Sequence, residues 1–264
     1  MDIIIHFKEI YKMTKDELSK NPFIESIIDL TLSTRKKWSQ KKYDELSNHE
    51  KYLLDISRYN NYLLSTLNDI ESVIIFLKRF PQKKFYADNN INEIYYTKYH
   101  MEVYYHKLFT ISELLRLLIN KIYALDLKEK QCSGENLIKK IGEKDPVIIL
   151  LQDFEKKVIF YRRKRNKSAH YGDFSPDINY DKVLLLNDYK HLVDYLNIEQ
   201  DENEIGKFNI DHTTRNYRKE QITRLTKNLN VIRQYINLFY DIWINIFIQT
   251  LEEMTTLNTS QSHT

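Results

Sequence analysis

Arg165-Asn166-Lys167-Ser168-Ala169-His170 is the run in this 264-residue chain whose residue types and spacing could break a phosphodiester. An arginine offers a permanent, planar, two-pronged grip on a phosphate whose charge grows in the transition state. A histidine can give or take a proton near neutral pH. Together they need no metal. Arg162, Arg163 and Lys164 precede the run and Lys167 lies inside it, which makes this the densest basic cluster in the chain. The spacing leaves two arginines in play. Arg163 shares a face with His170 on a regular helix, whereas Arg165 is about 140° around from it. Arg165 has the asparagine neighbour, and it takes the next position on the apolar stripe Val147, Leu151, Phe154, Val158 and Tyr161. A guanidinium on such a stripe is costly unless it is paired, lines a wet cleft or meets an anion. The same residues also read as a basic, solvated helix end whose histidine caps carbonyls. The helix terminus favours the imidazolium and the neighbouring cations oppose it, so sequence leaves the direction of any shift at His170 open.

Other reactive side chains form weaker patterns. His100 and His106 with Glu102 suggest a metal site, but a six-residue spacing puts the two histidines on different faces of a helix, and surface or hydrogen-bonded histidines are the plainer reading. Glu113 could hold the Arg165 guanidinium from a neighbouring helix, or be an ordinary surface carboxylate. The single cysteine, Cys132, excludes an internal disulfide framework and any multi-cysteine zinc site. The twenty tyrosines could stack on single-stranded RNA, and are read here as the half-buried sides of helices. No phosphate-cradling glycine loop and no Gly-x-Ser-x-Gly elbow occurs.

The elements that must position the basic run are helices. Four glycines and four prolines are too few for the turns of a sandwich or barrel. From Asn48 to Arg79, Leu53, Ile56, Leu63, Leu67, Ile70, Ile74 and Leu77 recur at helical spacing, behind a capping box of Ser47 and Glu50. A second long helix is expected from about Asn92 to Leu127, with Met101, Tyr105, Leu108, Leu115, Ile119 and Ile122 inward, then a short one between Gly134 and Gly142. Asp145-Pro146 opens a helix that runs to about His170, stopped by Gly172. The last helix carries Ile222, Leu225, Leu229, Ile232, Ile236, Phe239, Trp243 and Ile246, with Asp211 as its cap; it suits a bundle's spine or a seam against a second copy. Residues 3–46 read as shorter helices around Pro22. Val183 to Leu186 is a short strand or a buried turn, and Glu199 to Glu204 an acidic loop.

A net charge of +3, from 40 basic and 37 acidic residues, is not that of a general nucleic-acid coater. The apolar run at the N-terminus is too short for a signal peptide, and Leu238 to Ile248, interrupted by Asp241, is too short to span a bilayer. The expected location is cytoplasmic.

Arg165, four intervening residues and His170, at the end of a helix in an all-helical chain, resembles the Arg-x4-6-His signature of HEPN domains (higher eukaryotes and prokaryotes nucleotide-binding). The resemblance implies an all-α, up-and-down bundle of long helices. It covers residues 91–256, with 1–90 an additional N-terminal helical extension and 257–264 a disordered tail. It implies a homodimer in which two arginines and two histidines share a cleft, and a metal-independent endoribonuclease without a cofactor, leaving 2′,3′-cyclic phosphate and 5′-hydroxyl ends. In that scheme Arg165 holds the phosphate, His170 is general base or acid and Asn166 orients the pair. Arg162, Arg163 and Lys167 would bind the RNA backbone, and Tyr171 would stack on a base. A bacterial defence or toxin setting follows by the same resemblance, with an antitoxin or defence-system protein as partner. Toxins paired with nucleotidyltransferase antitoxins often carry His-x-Tyr, whereas Tyr171 here follows His170 directly. The competing classes are a non-catalytic helical module that binds nucleotide, RNA or protein through the same notch, and a structural dimer with no cleft.

Overall fold

A computed structural model describes residues 18–38, 42–81, 84–171, 175, 177–195 and 203–261. Every regular element among them is helical. The helices are α1 (Pro22–Trp38), α2 (Asn48–Leu77), α3 (Lys84–Asp88), α4 (Glu93–Ile122), α5 (Gly134–Ile141), α6 (Pro146–Tyr171), α7 (Ile178–Tyr195) and α8 (Asn203–Gln261). The fold is all-α, as the sparse glycine and proline imply.

Local chemistry sets the helix starts. Asn21 accepts the backbone N–H of Phe23 at 2.9 Å ahead of Pro22, and Asp145 accepts that of Val147 at 2.8 Å ahead of Pro146. Both are a capping side chain followed by a proline that has no N–H to satisfy. Ser47 and Glu50 close the expected reciprocal box: the N–H of Ser47 donates to the Glu50 carboxylate at 2.9 Å, and the N–H of Glu50 to the Ser47 hydroxyl at 3.2 Å. Ser133 caps α5, and Gly142 ends it at φ 108°, where a Cβ would be strained.

The chain divides into two compact units. The first holds residues 1–62, 114–153 and 228–264. Its core is aromatic: Phe23 of α1 stacks on Tyr240 at 5.1 Å between ring centres and meets Trp243 at 5.7 Å, and Phe239 lies 5.2 Å from Trp243. Asp241, which interrupts the apolar run, faces the start of α1, where the Asn21 amide donates to it at 2.7 Å. The second unit holds residues 63–113 and 154–227. Its pairings fix helix directions. Lys107 meets Asp69 and His100 meets Phe76, so α4 runs antiparallel to α2; Tyr105 meets Tyr161 and Ser112 meets Glu155, so α6 runs antiparallel to α4.

Three local expectations change. Val183 to Leu186 is neither strand nor turn but the middle of α7. Its uninterrupted apolar letters hide the period because Val183 faces the core while Leu185 and Leu186 on the far side are exposed. Asp211 is inside α8, which begins at Asn203, so it is no cap and Asn203 and Glu204 are helical rather than loop; residues 199–202 lie outside the described residues. At the other end α8 runs on through Gln261, past the residue-257 boundary, with the Thr255 and Thr256 hydroxyls donating to the Leu251 and Glu252 carbonyls. The stripe from Leu225 to Trp243 is buried within the chain, which makes α8 a spine.

Candidate functional site

The basic run occupies the last turns of α6, inside the second unit, as its spacing predicts. Arg163 is exposed and Asn166 is half-buried and engaged with a neighbour. The side chains of Arg162, Arg165, Lys167, His170 and Tyr171 lie outside the described residues. Their backbone is helical throughout. Glu113 is exposed on α4.

What surrounds this helix end is well defined. One turn before Arg165, Tyr161 packs against Tyr105 at 5.1 Å and Tyr104 at 6.5 Å. The stripe of α6 therefore goes from buried Val147, Leu151 and Phe154 to half-buried Val158 and Tyr161. Burial along the stripe thus falls between Phe154 and Tyr161. Beyond the helix end, Asp177 fixes the chain. One carboxylate oxygen accepts the N–H of Tyr180 at 3.0 Å and caps α7. The other accepts from Arg224 at 3.1 Å and Gln221 at 3.2 Å, both on α8. Arg224 also donates to the Tyr105 hydroxyl at 3.1 Å. Asp177, Arg224, Tyr105 and Tyr161 thus form a continuous chain of contacts that ties α4, α6, α7 and α8 together beside the motif.

The remaining candidates are accounted for. Among the described residues no group of three or more His, Cys, Asp or Glu side chains could hold a metal ion. His100 is half-buried among aromatic rings, and burial pushes its pKa below the ordinary 6.5. Cys132 is buried, with its thiol pushed up to about 11 by burial and aimed at the Arg116 carbonyl 3.5 Å away. A thiol in that state is a poor nucleophile.

Sequence reasoning missed two features. One is an aromatic pocket of about 540 Å³ lined by Phe76, Tyr86, Tyr95, Tyr96, Tyr99 and His100. Tyr95, Tyr96, Tyr99 and His100 within six residues were the available signal, absorbed into a reading of the tyrosines as core. The other is the outer face of α7, where Ile178, Leu185, Tyr189 and Leu192 are 70, 69, 61 and 54 % exposed. Steps of seven, four and three residues place them on one stripe.

Every regular element among the described residues is helical, and the Arg-x4-His run closes a long helix. Residues 41–250 match a family model described as Cthe2314-like HEPN, and the chain belongs to the HEPN family. Comparison with curated proteins and with solved structures returned no match. The family match begins at residue 41 and so takes in α2 and α3, ahead of the expected start at 91. No helix of the described residues is long and apolar enough to cross a membrane.

Proposed function

We propose that this protein is a metal-independent endoribonuclease acting in the cytoplasm as a homodimer. The observation that carries the reading is a family match spanning α6, whose last turns hold Arg165 and His170. Arg165, with Asn166 beside it, grips the scissile phosphate, and Arg162, Arg163 and Lys167 hold the flanking backbone. His170 takes the proton of the ribose 2′-hydroxyl as that oxygen bonds to the neighbouring phosphorus. The bond from phosphorus to the 5′-oxygen breaks, and the equivalent imidazole of a second copy protonates the leaving oxygen. The products are a 2′,3′-cyclic phosphate and a 5′-hydroxyl. Tyr171 stacks on an adjacent base.

The exposed stripe of α7 supports the second copy. Four large apolar side chains on one solvent-facing line are an unusual expense for a lone monomer. A two-fold axis beside them pairs the patch with itself. α7 follows the motif directly, so such an axis also lies near both catalytic helix ends. Restraint by an antitoxin or defence-system partner protein fits an enzyme of this kind.

Purified protein is expected to cleave single-stranded RNA in EDTA and leave cyclic phosphate ends. His170→Ala should lower the rate by about 10²–10⁴-fold, and Arg165→Ala should also abolish most cleavage, without lowering the melting temperature. Cleavage that persists in either variant removes that residue from the mechanism. Arg163→Ala, run alongside, decides which arginine serves. RNA binding in EDTA with no cyclic ends would select the non-catalytic module instead.

A further inference from the structure

The aromatic pocket lies at the same end of the second unit as the basic run. Tyr105 and Tyr161 touch, and α4 and α6 run in opposite directions. His100 is five residues toward the N-terminus of α4 from that contact, about 7 Å, and Arg165 is four residues toward the C-terminus of α6, about 6 Å. Both steps go the same way.

Its walls are ring faces and edges. His100 sits 4.4 Å from Tyr96, 5.3 Å from Tyr99 and 5.4 Å from Phe76, centre to centre. The Tyr96 hydroxyl donates to the Phe76 carbonyl at 3.2 Å, which ties the start of α4 to the end of α2 beside the pocket. Tyr99 and Phe76 nonetheless leave 63 % and 53 % of their surface in water. Among the described residues Ile91 is the one aliphatic side chain in the lining. The volume falls within the roughly 300–1,000 Å³ range of small-ligand sites. A flat ring that slides between such faces recovers the apolar area they expose, and a floppy aliphatic chain does so less well. No hydrogen bond to the His100 nitrogens is present among the described residues. Burial favours its neutral form, which offers one donor and one acceptor to the edge of a heterocycle. Along the connection from α2 to α3, Lys78, Arg79 and Lys84 are exposed, against one exposed acid, Asp88. That flank suits a phosphate backbone.

We propose that this pocket takes one unpaired base of single-stranded RNA, stacked on Tyr99 and Phe76, while the strand continues toward the end of α6. This rests on the reading of the chain as RNA-acting. Unpaired strands are what such a site can accept, because a paired base cannot leave its stack without cost.

The test uses a short oligonucleotide with 2′-O-methyl riboses, which 2′-hydroxyl attack cannot cleave, and the same oligomer made abasic. Fluorescence anisotropy with the full chain should show tighter binding of the base-bearing probe. Tyr99→Ala and Phe76→Ala should each weaken that probe by about 5- to 100-fold and erase the preference over the abasic one, while Tyr99→Phe keeps it. Both side chains are more than half exposed, so the variants should retain the wild-type circular dichroism. Equal affinity for the two probes, no binding of either, or alanine variants that bind like wild type overturns the proposal, as would be seen if the pocket instead received a protein segment. Cleavage of ordinary RNA is scored separately. Base-dependent binding without cleavage sinks the nuclease and keeps the pocket; cleavage without base-dependent binding does the reverse.

Discussion

His100 shows how burial of a single side chain becomes a pH dependence. Its surroundings are the rings of Phe76, Tyr96 and Tyr99, with Tyr86 and Tyr95 completing the pocket. Burial lowers its pKa, and no neighbouring charge contributes to the shift. The unfolded chain therefore takes up the proton first, near pH 6.5, and the folded chain only at lower pH. The stabilisation is present above the unfolded value and is lost as pH falls through the folded one. Each unit of lowering contributes about 1.4 kcal/mol. In urea titrations between pH 7.5 and pH 5, wild type should lose stability on acidification relative to His100→Gln, which has nothing to titrate there. A constant difference between the two proteins would show that the imidazole is already well hydrated in the folded state. The basic run obeys the opposite logic: at Arg165 the question is which anion arrives, since a guanidinium does not give up its charge.

Whole helices were largely legible in the sequence where one face alone is apolar. The stripes of α2, α4 and α8 fall on buried residues from Leu53 to Leu77, Met101 to Ile122 and Leu225 to Trp243. The caps at Ser47 and Asp145 close as their spacing predicts. The basic run was legible as far as its helix, because a charged residue broke a stripe. α7 was not, since Val183-Leu184-Leu185-Leu186 presents apolar residues on two faces and sequence cannot tell a core face from an interface face. Nor was the pocket, because a tyrosine on a core and a tyrosine lining a groove are the same letter. The second face of α7 makes a prediction at this scale. In the proposed dimer, Leu185→Lys with Tyr189→Lys places like charges across the two-fold contact, which costs several kcal/mol, or about 10²–10⁴-fold in the dimer constant. Sedimentation should change from dimer to monomer and RNA cleavage should be lost with it, while the helical circular dichroism stays unchanged. A variant that still sediments as a dimer would move the two-fold axis to another surface.

At the scale of the whole chain, the buried aromatic core and the proposed site draw on different residues. A fully buried aromatic cluster, Phe23, Phe239, Tyr240, Trp243 and Phe247, belongs to the first unit, and the basic run, the Asp177 network and the more exposed aromatic pocket all belong to the second. A net charge of +3 adds no long-range pull on RNA, so the proposed recognition rests on the local cations of α6 and the rings of α4. Trp243→Ala separates the two contributions. Its ring is wholly buried against Phe23, Phe239 and Tyr240, and removing it leaves a cavity that costs about 3–5 kcal/mol. For a chain of this length that lowers the thermal midpoint by about 10 °C. Well below that midpoint the variant should bind the uncleavable oligonucleotide as wild type does, because none of the residues invoked in recognition touches Trp243. If affinity falls in step with stability, the binding surface is not a local property of α4 and α6, and the assignment of function to those two helix ends fails.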